Sequence, residues 1–186
     1  MKRLRVLLDA NVLYPTVMRE IVLGVAAGGL FVPLWSERIL EEWARAAARL
    51  GEQDEAVARG EIAALRARWP GASISVPEGI ERRLWSPDPN DVHVLAAAVA
   101  GSADAILTAN AKDFPRGMLA EEGLIRLDPD QFLRGLAEAA PEVVRRVVDA
   151  SVAEAARLSG EEWTARTLLR KARLPGLAKA LSRQPG

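Results

Sequence analysis

The chain has no cysteine and a single histidine, His93, among its 186 residues. A disulfide framework, a thiolate metal site and a cysteine nucleophile are therefore excluded, as is any centre built on several imidazoles. Chemistry in this chain has to be carboxylate chemistry. Aromatic residues are scarce at 5%, and the scattered tryptophans Trp35, Trp43, Trp69, Trp85 and Trp163 do not describe a base-stacking platform. Net charge is also missing, because 25 basic and 25 acidic side chains cancel. No overall field draws the chain onto nucleic acid or an anionic surface, so a polyanion site must be local. No segment approaches the ~18 uninterrupted apolar residues of a membrane span, and the basic N-terminus runs straight into a strand-like stretch without a signal-peptide apolar region. The expectation is a soluble, cytoplasmic protein with no membrane partner.

What is present is ordinary globular composition, 49% hydrophobic and 27% charged, in a chain long enough for a sizeable core. Strand-like runs at residues 3–8, 30–34, 73–76, 105–108 and 125–127 alternate with helical patterns at 16–27, 37–50, 52–69, 91–100 and 128–139. Ser36 is positioned as an N-cap of the second helix, and Asp128 or Asp130 of the last of these. Strands alternating with helices imply an α/β fold, with a central, mostly parallel sheet flanked by helices as a three-layer structure. Beyond Pro141 only helices are expected, at 141–158, 161–173 and 175–181. The chain is thus read as a domain over residues 1–138 and an all-helical extension over 139–186. Residues 141–186 carry nine basic and five acidic side chains, and the six basic residues after Thr164 have no acidic neighbour in sequence. The neutral total conceals two parts of opposite charge.

In an open parallel sheet, ligands collect beyond the carboxyl ends of the strands. Asp9 directly follows the first strand, Asp113 lies in the loop after the 105–108 strand, and Asp91 opens the helix preceding that strand. Glu42, one turn into the helix after the second strand, is long enough to reach the same edge. Each acid alone has a plainer explanation: Asp9 and Asp91 as helix caps, Glu42 as solvated helix face, Asp113 and Asn110 as loop chemistry. His93 reads as a packing or capping residue. Jointly, four carboxylates at one edge repel each other unless a cation neutralises them. An all-oxygen site suits hard Mg²⁺ or Mn²⁺ better than zinc, and such ions support phosphodiester hydrolysis.

Four segments carry a family resemblance: Val6 to Leu13 (VLLDANVL), Trp35 to Arg45 (WSERILEEWAR), Asp88 to Ala98 (DPNDVHVLAAA) and Ala105 to Pro115 (AILTANAKDFP). In order and spacing they resemble the four acidic motifs of the PIN-domain ribonucleases, and within these the VapC-type toxin branch, over about residues 4–137. The resemblance implies Asp9, Glu42, Asp91 and Asp113 as catalytic acids, with Asp9, Asp91 and Asp113 as metal ligands. It marks Asn11 and Thr108 as polar support for the metal or the scissile phosphate, and Asp88 as an adjacent acid. Many family members have Asp directly after the fourth strand, where this chain has Asn110, so a second metal loses a ligand there. The implied activity is that of a Mg²⁺- or Mn²⁺-dependent endoribonuclease acting on RNA. A homodimer and a small antitoxin partner covering the active site are implied as well, and the helical extension resembles that of some longer toxin-like members.

Two other readings stay open. A haloacid-dehalogenase-like phosphatase also places Asp after its first strand and Thr at the end of a later one, as Asp9 and Thr108 do here. It normally has a second Asp at the position of Asn11. A catalytically silent PIN-like module binding RNA or protein is the non-enzymatic alternative, and Asn110 is the residue that suggests it.

Overall fold

The computed structural model describes residues 3–183. The chain opens with β1 (Arg5–Leu8), α1 (Ala10–Leu13), α2 (Thr16–Ala27), β2 (Val32–Ser36), α3 (Glu37–Ala48) and α4 (Glu52–Arg68). It continues with β3 (Ser73–Ile74), α5 (Ile80–Arg83), a 3-10 turn over Pro89–Asp91, α6 (Val92–Ala100), β4 (Ala105–Leu107), α7 (Arg116–Glu121) and β5 (Ile125–Leu127). The last four helices are α8 (Pro129–Ala139), α9 (Pro141–Ser159), α10 (Ala165–Lys171) and α11 (Pro175–Arg183). Among the described residues, no helix is long and apolar enough to cross a membrane.

Chain contacts separate two compact units, one comprising the residues up to Tyr14 with Phe31–Leu127, the other Pro15–Leu30 with the residues from Asp128 onward. The first holds a five-stranded sheet of order β3-β2-β1-β4-β5 in which every pairing is parallel. This is the expected three-layer α/β class, with helices flanking the sheet and further helices at the C-terminus. Leu7 stands opposite Leu34 on one side and Ile106 on the other. Val6, Leu7, Leu8 and Ala105 to Leu107 are fully buried, the continuous apolar runs required of central parallel strands covered on both faces. The edges are short, a common defence against further strand pairing: β3 has two residues, and β5 exposes Ile125. Strand order reverses between β1 and β4, so the crevice beyond their carboxyl ends is the switch point where ligands are expected.

Two helices set the walls of that crevice. Helix α6 packs against β1, β2 and β4; its run from Val94 to Ala98 is buried, and three of those five residues are alanine, which lets the helix approach the strands closely. Helix α3 begins at Ser36, whose hydroxyl accepts a hydrogen bond from the Ile39 N–H at 3.2 Å, the expected cap. It buries Ile39, Leu40, Trp43, Ala44 and Ala47, leaving Glu41 and Glu42 on the flank.

Several boundaries differ from the sequence reading. The second strand starts two residues late, at Val32, because the chain after α2 is still closing the helix: Gly29 takes φ 83° and the Leu30 N–H bonds the Val25 carbonyl. The helix expected from residue 161 starts only at Ala165, where Thr164 and Thr167 form a reciprocal capping box. The helix expected from Asp91 is preceded by the 3-10 turn, capped by Asp88. Helices α1 and α5, each of four residues, are too short to leave a periodic signal.

The second unit is all helical, and it does not follow the division at 138/139. Both α8 and the early helix α2 pack within it. Helix α2 lies so close to α9 that a Cβ on Gly24 would stand 2.5 Å from Val147 Cγ1, and one on Gly28 2.4 Å from Val143 Cγ1. Asp128 caps its own helix α8 by accepting from the Gln131 N–H. Asp130, the other candidate cap, serves a different helix: its carboxylate accepts from the N–H groups of Gly176 at 2.7 Å and Leu177 at 2.8 Å, at the start of α11. Arg134, Lys179 and Arg183 line an open groove of about 370 Å³ in this unit, together with Glu138.

Candidate active site

Parallel strands deliver successive loops to one edge, and the residues following β1 and β4 meet there. Asp9 ends β1 and caps α1, accepting from the Ala10 N–H at 2.7 Å. Its other oxygen, Oδ2, accepts from the Thr108 hydroxyl and from the Asn11 amide, both at 2.7 Å. Asn11 also accepts from the Ala109 N–H at 3.0 Å, tying the loop after β1 to the loop after β4. Thr108 in turn accepts from the Asn110 N–H at 3.0 Å. Asp9 and Thr108 are both buried. Burial pushes the Asp9 carboxyl above its ordinary range, and Glu42 adds to the rise, while the Thr108 and Ala10 hydrogen bonds pull the other way.

A second group of acids forms around the loop after β4. One carboxylate oxygen from each of Asp88, Asp91 and Asp113 lies within 4.8 Å of the other two. Between two of them sits Asn110, whose amide donates to Asp113 Oδ2 at 2.8 Å and Asp91 Oδ2 at 3.3 Å. The loop is held from behind by Ser86, which donates to the Asp113 carbonyl at 3.0 Å. Arg126 on β5 donates to the carbonyls of Ala111 and Phe114. The Asp91 carboxyl is pushed up to about 6, by partial burial first and then by the charges of Asp9, Asp88, Asp113 and Glu42. Asp91 is thus the acid that feels the other four, and Asp9 and Glu42 also act on each other.

Glu42 approaches from α3. Its Oε1 is 2.7 Å from Nε2 of His93, a buried residue on α6. Glu42 also borders an open groove of about 600 Å³ shared with Arg38, Arg45, Arg66 and Asn90. Each of those arginines is tied to an acid nearby, Arg38 to Glu81 at 3.5 Å, Arg45 to Glu41 at 3.2 Å and Arg66 to Glu37.

The structure thus brings together the residues singled out from the sequence: Asp9, Glu42, Asp91 and Asp113, with Asn11, Thr108, Asn110 and Asp88 around them. Two features were not anticipated. The tightest acidic group is Asp88, Asp91 and Asp113, with Asp9 anchored separately by Thr108 and Asn11. And His93 is neither a cap nor plain packing, since it meets Glu42. A histidine two residues after a candidate metal-binding Asp, on an otherwise apolar helix face, was the available signal. The donor set suits a hard divalent cation: every candidate ligand is a carboxylate oxygen, and a cation would offset both the partial burial and the neighbouring charges that raise the Asp91 carboxyl.

Compared with known families, residues 5–112 match the model of the PIN domain, more than half of the chain. The match contains Asp9, Glu42, Asp88 and Asp91 and ends one residue before Asp113. No curated protein and no solved structure matches the chain.

Proposed function

The chain belongs to the PIN-domain family, whose members are generally nucleases, and we propose that it is a divalent-metal-dependent endoribonuclease, the toxin of a toxin–antitoxin pair. The observation that carries this reading is the meeting of Asp88, Asp91 and Asp113, one carboxylate oxygen of each within 4.8 Å of the others, with Asp9 and Glu42 near enough to act on Asp91 at the switch point of the sheet. An acid crowded by four others is costly for the fold, and a phosphodiester-cleaving metal site accounts for the crowding.

In this reading Asp9, Asp91 and Asp113 hold Mg²⁺ or Mn²⁺, with Asp88 as an additional donor. Such an ion supplies charge stabilisation to the phosphate oxygens and a more acidic water. The Thr108 and Asn11 hydrogen bonds fix the rotamer of Asp9, so one ligand is preorganised before RNA arrives. Glu42 takes the proton of the attacking water. The water oxygen bonds to phosphorus as the bond from phosphorus to the in-line 3′-oxygen breaks, and that oxygen takes a proton from a solvent water, giving a 5′-phosphate and a 3′-hydroxyl. Arg38, Arg45 and Arg66 along the groove, with Arg116 on α7, offer their guanidiniums to backbone phosphates, exchanging present carboxylate partners for the substrate. The same reading takes the protein to be a cytoplasmic homodimer held in check by a small antitoxin that covers the acids.

Asn110 supports a single-ion site. Its neutral amide lies between Asp91 and Asp113, where a further acid would add ligand charge for a second ion. The deciding experiment is cleavage of a structured RNA by purified protein with Mg²⁺, with Mn²⁺ and with chelator, beside an identically prepared Asp9→Asn variant. Metal-dependent cutting lost in the variant supports the nuclease. No cutting under any condition, with RNA still bound, would transfer support to the silent binding module.

A further inference from the structure

The contact between His93 and Glu42 carries a further inference, one that rests on the nuclease reading above. His93 is 2% exposed, whereas the Glu42 side chain is 39% exposed, so one partner is fixed in the core and the other reaches the crevice. The two approach at 2.7 Å through His93 Nε2 and Glu42 Oε1. An ionised carboxylate can only accept, so Nε2 donates. The other ring nitrogen, Nδ1, is buried and has no hydrogen-bond partner. A proton there would be a buried donor without an acceptor, which is costlier than a bare lone pair in the same place. Of the two neutral tautomers, the geometry therefore selects the one protonated at Nε2.

The consequence falls on Glu42. Glutamate has three side-chain torsions and loses substantial rotamer freedom when it is ordered. An acid on the flank of α3, bordering an open groove, would otherwise sample several orientations. The hydrogen bond from a core-anchored imidazole holds Oε1 in place, and among the described residues Oε2 has no hydrogen bond. We propose that His93 is a positioning residue: it fixes Glu42 through Oε1 so that Oε2 is the oxygen left to take the proton of the attacking water. Preorganising a proton acceptor in this way acts on the chemical step and leaves substrate binding largely untouched.

The protein makes the test direct, because His93 is its only histidine. A long-range ¹H–¹⁵N spectrum of labelled, metal-free protein contains imidazole signals from this one ring. It is expected to show the Nε2-protonated tautomer in the wild type and a changed pattern in Glu42→Gln. In kinetics with Mn²⁺, His93→Leu is expected to lower kcat ~10- to 100-fold, the usual effect of losing an outer partner at a metal site, with KM within about twofold. Combined with Glu42→Gln it should cause no additional loss, because the histidine acts only through that acid. His93→Gln, which can place an amide N–H near the lost Nε2, should recover most of the rate. An Nδ1-protonated ring, or losses that multiply in the double variant, would overturn the proposal while leaving the nuclease reading intact. Wild-type protein that cuts no RNA with either metal would overturn both.

Discussion

The hydroxyl of Thr108, at the end of β4, donates to Oδ2 of Asp9, at the end of β1, at 2.7 Å, joining the two central strands at the point where the sheet reverses order. Because Asp9 is buried, this bond and the one from Asn11 stabilise its charged form against desolvation. Thr108→Val keeps the shape and removes the donor. The Asp9 carboxyl should rise further, and the acid limb of the kcat/KM profile should move to higher pH. Metal-free protein above that pH should lose about 1–2 kcal/mol in urea unfolding. An unchanged acid limb would show that Asp9 does not control activity.

Burial of the acids, reinforced by their repulsion, makes stability depend on pH without any substrate. The Asp91 carboxyl in the folded chain is raised from an ordinary 3.8 to about 6, and Asp9 is raised as well. A raised carboxyl pKa means that the folded state binds protons more tightly than the unfolded one. The associated stability is complete below the ordinary carboxyl range and is lost as pH rises through about 6. Metal-free protein should therefore melt at a lower temperature at pH 7.5 than at pH 5, and Mg²⁺ or Mn²⁺ should reverse the loss at pH 7.5. Asp91→Asn should flatten this dependence and raise the metal-free Tm at pH 7.5. Since Asp91 is only partly buried, solvent screening limits the gain to about 1 kcal/mol, or ~2–4 °C in a chain of this size. Scanning calorimetry across pH, with and without metal, checks each part.

Asn110 can be converted to the acid that many PIN-domain members carry. Asn110→Asp removes the amide that now donates to both Asp91 and Asp113 and adds a like charge. Metal-free stability at neutral pH should fall by about 1–3 kcal/mol, and calorimetric titration should show tighter Mn²⁺ binding or a second equivalent. Weaker binding at unchanged stoichiometry would contradict the single-ion explanation of Asn110.

The helical unit has its own sensitive point. Asp130 supplies the N-terminal cap of α11 from a different helix, and a Cβ on Gly176 would stand 2.8 Å from its Oδ2. Asp130→Ala should cost about 1–2 kcal/mol, the usual effect of losing an N-cap, and Gly176→Ala a comparable amount by displacing the carboxylate. Urea denaturation of the full-length variants provides the measurement.

How far the sequence disclosed this depended on the kind of signal. Val6–Leu8 and Ala105–Leu107 were legible as strands because burial on both faces leaves unbroken apolar runs, and Ser36 and Asp128 as caps because capping is local. The acids at 9, 42, 91 and 113 could be placed at one edge because parallel topology dictates where loops after strands go. Asp130 was legible only as an acid near a helix start, since its partners lie 46 and 47 residues onward. Gly28 reads as a helix stop, and nothing local in it or in Gly24 announces Val143 and Val147 across a helix interface. His93 was visible but ambiguous: its role depends on an oxygen 51 residues away in sequence.

The membership of α2 in the helical unit bears on the order in which the chain can be completed. Helix α2 ends at Ala27 and α8 begins only at Pro129, so on the ribosome about a hundred residues are made between this helix and its first companion. Ile21, Val22 and Val25 are wholly buried in the finished protein, so the nascent chain must carry apolar side chains whose cover within their unit has yet to emerge. The strands around the acids can pair before that, since β5 ends at Leu127. Synthesis thus brings the elements of the acidic centre out first and leaves the helical unit open until its final helices are translated.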